Sequence, residues 1–372
     1  LRTPRLYSIL FALVFGSMVL VFLQNIVKWP QVADVNGAEY AVEEVEWTLD
    51  SWMDESLQNR VTAQFKRTLG TRPLFIRTHN QLFYSLYNES KTYVLVGKDN
   101  QLFAYNYFPS FRAFDLKEVE HWEQIAGGLK RLQDTLSTAG IEMLVVIAPN
   151  KVRYMPEKLP DHLKHEPGAT SNWQRFVKEC EKSNVNFLDL NQVFLEMKGR
   201  SRVDLFPNTG THWSAYGATM AMDSIMRRFK HSEYTELHYE TGQWTDSIVD
   251  GDIELAEHLN VWWPPSMNRQ FMFDVEVDTM GRKRPNILFI SDSYFWTINS
   301  LKLNHRMLSD QHSFWYYNNT NYDTEHGIVP VDSLDRWSEL FSRDAVVIMG
   351  TESNLKEVPY GIIQDLNLEL SR

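Results

Sequence analysis

The sequence predicts an α/β protein, a mostly parallel sheet with helices on both sides, carried behind an N-terminal transmembrane helix and a helical stalk. Three observations predict it. From about residue 90 onward, short uninterrupted apolar runs alternate with stretches of helical periodicity, the pattern of a sheet covered on both faces. A run of 18 residues without a charge, Leu6 to Leu23, lies at the start of the chain. Between these parts, residues 31–90 are rich in Glu, Trp and Arg and contain no strand-like run.

Composition narrows the function. With 372 residues, 43% of them hydrophobic, the chain can bury a full core and divide into about two domains. Lys plus Arg is 37 and Asp plus Glu is 48, a net charge of −11, which repels phosphate backbones, so no nucleic-acid partner is expected. The single cysteine, Cys180, permits neither an intrachain disulfide nor a Cys-based metal site.

The apolar run is preceded by Arg2 and Arg5 and drifts on to Lys28. It is close to the roughly 20 residues that cross a hydrocarbon layer and longer than the apolar part of a cleaved signal peptide. A retained single-pass anchor over residues 1–28 is expected, with the arginines cytoplasmic and everything after Lys28 in the periplasm or another extracytoplasmic space. Because the chain opens at Leu1 and not Met, part of a cytoplasmic tail is expected to precede it. Residues 29–90, with Val45, Leu49, Trp52 and Leu57 at helical spacing, read as the stalk, and residues 91–372 as the main domain.

In that domain, Tyr93 to Gly97 followed by Leu102-Phe103 reads as a hairpin. Val119, Trp122, Ile125, Leu129, Leu132 and Leu136 give a helix of about six turns, ending near Gly140. Ile141–Ala148 is a buried strand closed by Pro149. Trp173, Phe176, Val177 and Cys180 mark a helix, and Val185–Leu190 a strand. Ser214 caps a helix through Phe229. Asn286–Ile290 and Ala345–Met349 are further buried strands.

In such sheets ligands bind at the carboxyl ends of the strands. Two segments qualify: Thr211-His212-Trp213-Ser214 at a helix start, and Ser291-Asp292-Ser293-Tyr294 directly after a strand. A serine on a strand-to-helix turn exposes its Oγ beside free backbone N–H groups, and histidine is the side chain suited to take its proton near neutral pH. Each has an ordinary structural alternative, an N-cap serine and a packed histidine. Asp292 reads as a turn carboxylate binding nearby N–H groups. His162 and His165 stand three apart in a polar loop, and no metal or other cofactor is expected. No Walker A, GxGxxG, GxSxG or HExxH motif occurs, which disfavours nucleotide, α/β-hydrolase and zincin readings.

Taken together, a His-Trp pair upstream of a strand that ends in Ser-Asp-Ser resembles the AlgX/AlgJ-like alginate O-acetyltransferase family, which is SGNH-hydrolase-like and membrane-anchored. Val94-Leu-Val-Gly97-Lys-Asp99, Val146-Ile-Ala-Pro149-Asn150-Lys151, Phe314-Trp-Tyr-Tyr-Asn318 and Asp344 to Asn354 extend the resemblance over about residues 90–355. It implies a three-layer α/β/α, flavodoxin-like fold and acetyl transfer to an exported polysaccharide through an ester of Ser293, with His212 as base and the Ser293 and Tyr294 N–H groups as oxyanion donors. It further implies a multi-pass membrane acyltransferase as partner. Asn318, Asn319 and Asn354 are candidate donors, Trp213 is a candidate substrate contact, and Glu352, which as a carboxylate cannot donate to an oxyanion, is expected to hold a sugar hydroxyl or another residue. Trp262, Trp263, Trp296 and Trp315 fall near these segments in sequence, most of them expected in the core.

One departure bears on activity. The family usually has Asp two residues before the histidine, where this chain has Gly210. A backbone carbonyl could then orient His212, or a remote acid could, with Asp252 preferred over Asp204 and Asp189, or the site could be silent. A carbohydrate acetylesterase using the same Ser/His pair, and a silent glycan-binding or assembly subunit, are the alternatives to transfer.

Overall fold

The computed structural model describes residues 3–27, 29, 32–37, 47–164, 170–201, 203–229, 231, 233–249 and 251–367. Of the residues singled out above, Arg2, Lys28, Val45 and His165 lie outside this set. The chain divides into two compact units, residues 1–92 with 257–264, and residues 93–256 with 265–372.

The first unit holds the apolar helix Thr3–Val27, whose stretch Arg5–Val27 is long and apolar enough to cross a membrane. Among the described residues of 29–90 there are three helices, Leu49–Met53, Ser56–Thr68 and Arg72–Tyr87. A reciprocal capping box between Thr48 and Ser51 starts the first of these, satisfying donors that a helix N-terminus leaves open. Residues 257–264 fall in this unit and not in the sheet domain, where the sequence pattern would place them. Side-chain bonds to backbone hold them: Gln81 Oε1 accepts the N–H groups of Trp262 and Trp263 at 2.9 Å each, and Asn80 donates to the Leu259 carbonyl at 3.1 Å. Hydropathy patterning carries no trace of such contacts.

The second unit begins with the antiparallel hairpin β1 (Val94–Val96) and β2 (Leu102–Ala104). Next come β3 (Glu142–Ala148), β4 (Phe187–Asp189) and four short strands, β5 (Glu236–His238), β6 (Gly242–Thr245), β7 (Gln270–Phe273) and β8 (Glu276–Asp278), which form two separate antiparallel pairs. The chain then supplies β9 (Ile287–Ser291), β10 (Ser313–Tyr316), β11 (Thr320–Tyr322), β12 (Ile328–Pro330) and β13 (Ala345–Thr351). The main sheet has seven strands in the order β12-β11-β10-β9-β13-β3-β4. From β10 to β4 all neighbours are parallel, and β11 and β12 add an antiparallel edge. This is the mostly parallel sheet that the sequence predicts.

Strand residues alternate between the two covering layers. On one face Met143, Val145, Ile147, Leu288, Ile290, Val346 and Ile348 pack with Trp122, Leu129, Leu132 and Leu136 of the helix Val119–Thr138 and with Phe176 and Cys180 of Asn172–Lys182. On the other, Phe289 meets Phe295 at a ring distance of 4.7 Å. Burial on both sides explains why these strands read as unbroken apolar runs. Burial also pushes the Cys180 thiol up to about 12. The helix Ala215–Arg228 begins at Ser214, whose Oγ accepts the Gly217 N–H at 3.2 Å and donates to the Asp204 carbonyl at 2.8 Å. Ser293 follows the end of β9, in the middle of the sheet.

Candidate active site

The turn after β9 is built around one buried carboxylate. Asp292 Oδ2 accepts the Thr351 N–H at 2.8 Å, the Thr351 hydroxyl at 3.0 Å and the Asn354 amide at 3.0 Å, while Oδ1 accepts the Tyr294 N–H at 3.2 Å. This ties the end of β13 to the end of β9 and fixes the backbone on both sides of Ser293, leaving Ser293 itself partly accessible.

His212 reaches the same place from the loop before the helix Ala215–Arg228. A buried lysine pins that loop: Lys151 Nζ lies 2.6–3.2 Å from the carbonyls of Leu102, Pro207, Asn208 and Gly210. Burial pulls its ammonium down to about 7, against the opposing pull of the Glu254 and Asp204 carboxylates. Beneath the imidazole, the buried Tyr294 ring packs edge-on at 5.0 Å and its hydroxyl donates to the carbonyls of Pro149 and Thr211, each at 3.0 Å.

The outcome is a short contact across 81 positions of sequence. His212 Nε2 is 2.8 Å from Ser293 Oγ. On the opposite edge of the ring, His212 Nδ1 is 3.3 Å from Glu254 Oε2, and Glu254 Oε1 accepts the Thr211 N–H at 3.0 Å. Burial pushes the Glu254 carboxyl up, but the His212 charge and the hydrogen bonds from His212 and Thr211 outweigh it and hold it below its ordinary value. An ionised Glu254 fixes the tautomer with the proton on Nδ1, so that Nε2 can accept the Ser293 proton.

Comparison with known proteins places the chain in a family. Residues 94–289 match the family described as ALGX, the SGNH hydrolase-like domain of acetyltransferase AlgX. The chain belongs to that family. It is similar to the protein named Probable alginate O-acetylase AlgJ of Pseudomonas syringae pv. tomato, 27% identical over 146 residues, which are 39% of this chain and 35% of that protein. The AlgJ of Pseudomonas aeruginosa is 28% identical over 139 residues, 37% of this chain and 33% of that one. The match thus spans about a third of these relatives' length. Among solved structures, the O-acetyltransferase domain of Pseudomonas putida AlgJ has a TM-score of 0.45 and 18% identity, over 72% of this chain and 93% of that one. Pseudomonas aeruginosa AlgX has a TM-score of 0.45 and 13% identity, over 74% and 66%.

Within this AlgX-type domain the missing motif carboxylate has a steric explanation. A Cβ on Gly210 would stand 2.2 Å from the Gly251 carbonyl oxygen and 2.9 Å from that of Asp252. The turn leading to Glu254 occupies the space an Asp side chain at 210 would need. Thr209 binds that turn down, its hydroxyl donating to the Asp252 carbonyl at 2.7 Å and its own carbonyl accepting the Leu255 N–H at 3.0 Å.

Several expected roles need correction. Asp252 is not the carboxylate on His212 Nδ1; its Oδ2 accepts the Val249 N–H at 2.8 Å and closes the turn that delivers Glu254 two residues on. Asp189 is engaged elsewhere, by Trp173 Nε1 and the Gln192 N–H. The Tyr294 N–H is committed to Asp292, so it is not an open oxyanion donor. Asn318 donates to the Tyr360 carbonyl at 3.0 Å and to Asp365 at 2.8 Å. Glu352 is buried in a two-pronged pair with Arg153, 2.5 Å at each contact, and accepts from Asn191 at 2.6 Å. It braces the core and offers no face to a sugar. Trp213 is fully buried against Phe194 and Tyr294, as is Trp315, whereas Trp262 and Trp263 fall in the other unit.

Glu254 was not singled out from the sequence, although it lies in the same polar turn as Asp252. The legible signals were Gly210, where the motif acid is missing, and the run of carboxylates between Val249 and Glu254.

Proposed function

We propose that this protein is a membrane-anchored, extracytoplasmic O-acetyltransferase that acetylates hydroxyls of an exported polysaccharide through an acyl ester of Ser293. The observation that carries the reading is the Ser293–His212–Glu254 relay, with both ring nitrogens of His212 engaged. Membership of the AlgX family and the alginate O-acetylases among the relatives support acetyl as the group moved. The apolar helix supports an anchor of one pass in the cytoplasmic membrane, with the sheet domain on the periplasmic side.

In the acylation step His212 Nε2 takes the Ser293 proton as Oγ bonds to the acyl carbon, and returns it to the leaving group as the tetrahedral intermediate collapses. Glu254 stays ionised and stabilises the imidazolium. In the second step His212 Nε2 takes a proton from a glycan hydroxyl as its oxygen bonds to the acyl carbon, and gives that proton to Ser293 Oγ as the acyl–Oγ bond breaks. Acetyl-CoA is a charged cytoplasmic metabolite that does not cross a bilayer unaided. The acetyl group therefore needs a membrane carrier, and a multi-pass acyltransferase is the partner the family resemblance implies.

The test is intact-mass measurement of the full chain in detergent after exposure to an aryl acetate. One acetyl adduct, absent in Ser293→Ala, is expected, and an added oligosaccharide should remove it and keep the acetyl. Release as free acetate despite the glycan would make the protein an esterase. Absence of any adduct would overturn the acyl-enzyme reading.

A further inference from the structure

The helices Ser56–Thr68 and Arg72–Tyr87 of the first unit take no part in the site, and their composition sets them apart from the rest of the chain. Residues 56–88 hold five cations, Arg60, Lys66, Arg67, Arg72 and Arg77, and no Asp or Glu, in a protein whose net charge is −11. Arg77 donates to the Asp34 carbonyl at 2.8 Å, a bond that leaves its charge in place. Both helices also expose large apolar side chains, Val61 and Phe65 on the first, and Leu74, Phe75, Leu82, Leu86 and Tyr87 on the second. At about 3.6 residues per turn, Phe75, Leu82 and Leu86 fall within about 40° of one another, a single stripe along the helix. A helix on the surface of a soluble domain turns its apolar stripe to the core. Here the apolar stripe and the cations are both outside, the composition of helices that lie on bilayers, with apolar groups at the headgroup boundary and Lys and Arg on anionic lipid.

Packing within the unit holds these helices at the height of that boundary. Gly70 lies in the corner between them, and a side-chain carbon on it would stand 2.3 Å from Nε2 of Gln24. Gln24 is buried and sits one turn before the apolar helix ends at Val27. The corner therefore rests against the last turn of the apolar helix, which in a span is where hydrocarbon gives way to headgroups. Trp29, just past that helix, and Trp47 and Trp52, around the short helix Leu49–Met53, are exposed as well. Tryptophan gathers at the membrane–water interface.

We infer that the helices Ser56–Thr68 and Arg72–Tyr87 lie on the extracytoplasmic surface of the membrane that the apolar helix spans, their exposed apolar side chains inserted among the headgroups and their cations paired with anionic lipid. The occupant of this face is lipid, because a basic segment in an acidic protein matches the charge of such a surface. The tether strengthens the contact: with the apolar helix in the same bilayer, the two helices meet the surface at high effective concentration, so that individually weak contacts suffice. The inference rests on reading Arg5–Val27 as a membrane span and does not depend on the acyl chemistry.

The test places an environment-sensitive fluorophore on single cysteines of the full chain, reconstituted in vesicles of phosphatidylcholine with phosphatidylglycerol. Cys180 is buried and stays unlabelled in the folded chain. Probes at Val61→Cys, Phe65→Cys and Leu82→Cys should shift to shorter wavelength and be quenched by lipid carrying a doxyl group. A probe at Ala63→Cys, exposed on the same helix but about 180° from the Val61–Phe65 stripe, should instead be quenched by aqueous iodide. Lipid quenching should weaken when phosphatidylglycerol is left out, since each cation near an anionic surface raises the ratio of bound to free about fivefold. Lipid quenching equal in the two compositions would overturn the pairing with anionic lipid. A chain that floats with the vesicles, but whose probes at Val61, Phe65 and Leu82 answer to iodide or to neither quencher, would overturn the inference and leave this face to a protein. A chain that does not float would overturn the membrane span, and the inference with it.

Discussion

A side-chain carbon on Gly210 would stand 2.2 Å from the carbonyl oxygen of Gly251. Gly251 in turn has φ +85°, and a side chain on it would meet His212 Nδ1 at 2.6 Å. Two glycines thus let the turn that delivers Glu254 pass close to the imidazole, where Glu254 Oε2 stands 3.3 Å from His212 Nδ1.

Restoring the usual motif should therefore fail. Gly210→Asp drives a side chain into backbone that cannot swing aside, at a cost of about 1–3 kcal/mol for overpacking. It should lower the thermal midpoint and slow acylation of Ser293, and it should not rescue Glu254→Gln when the two are combined. Thermal scans and adduct rates on the single and double variants check this. A double variant faster than Glu254→Gln alone would mean that the site accepts an acid from either position.

Glu352 should matter to stability and not to donor chemistry. Arg153→Met leaves the Glu352 carboxylate, whose side chain is fully buried, facing Asn191 with its charge uncompensated. Breaking such a pair costs about 3–5 kcal/mol. Changing both residues, as Arg153→Met with Glu352→Leu, should recover part of that loss. Urea unfolding of the three variants measures it. Equal stability of Arg153→Met and the unsubstituted chain would remove Glu352 from the core.

The β11–β12 edge should carry a pH signature. Asp323 accepts from the His326 N–H at 2.6 Å, from His326 Nδ1 at 3.1 Å, from Asn321 and from Ser313. Burial alone would raise the Asp323 carboxyl, but these bonds hold it well below the ordinary 3.8. The hydrogen bond to Asp323 raises His326 above 6.5, against a smaller effect of burial. The depressed carboxylate stabilises the fold above 3.8 and loses that contribution as pH falls through its folded value. The raised imidazole stabilises fully below 6.5 and loses its contribution as pH rises through its folded value. The stability difference between the chain and His326→Gln should accordingly be largest between these ordinary values and narrow on the alkaline side. A difference that is flat with pH, measured by urea titration, would contradict the pairing.

How much of this was legible follows from the kind of signal. The strands β3, β9 and β13, buried on both faces, write themselves as apolar runs, and the helix Val119–Thr138 writes its buried stripe at intervals of three and four. Ser293 and His212 were legible because strand ends and helix starts are where a chain can expose reactive groups. Glu254 was not, and for Glu352 the sequence left open whether it holds another residue or a sugar hydroxyl. Each depends on which side chain faces which, 42 positions apart for His212 and Glu254 and 199 for Arg153 and Glu352, and on packed backbone such as the Gly210–Gly251 approach, which leaves only a glycine in the sequence. The same polar turn holds Asp252 and Glu254, and nothing in the order of residues says which of the two carboxylates the turn projects and which it keeps to close itself.

The most direct measurement is the rate at which Ser293 of the full chain is acetylated by an aryl acetate, compared for Glu254→Gln and Asp252→Asn. If Glu254 orients His212, Glu254→Gln should slow acylation by about 10²-fold or more, while Asp252→Asn lowers stability and leaves the folded fraction acylating at close to the original rate. The reverse order, or a Glu254→Gln chain as fast as the unsubstituted protein, would contradict the relay.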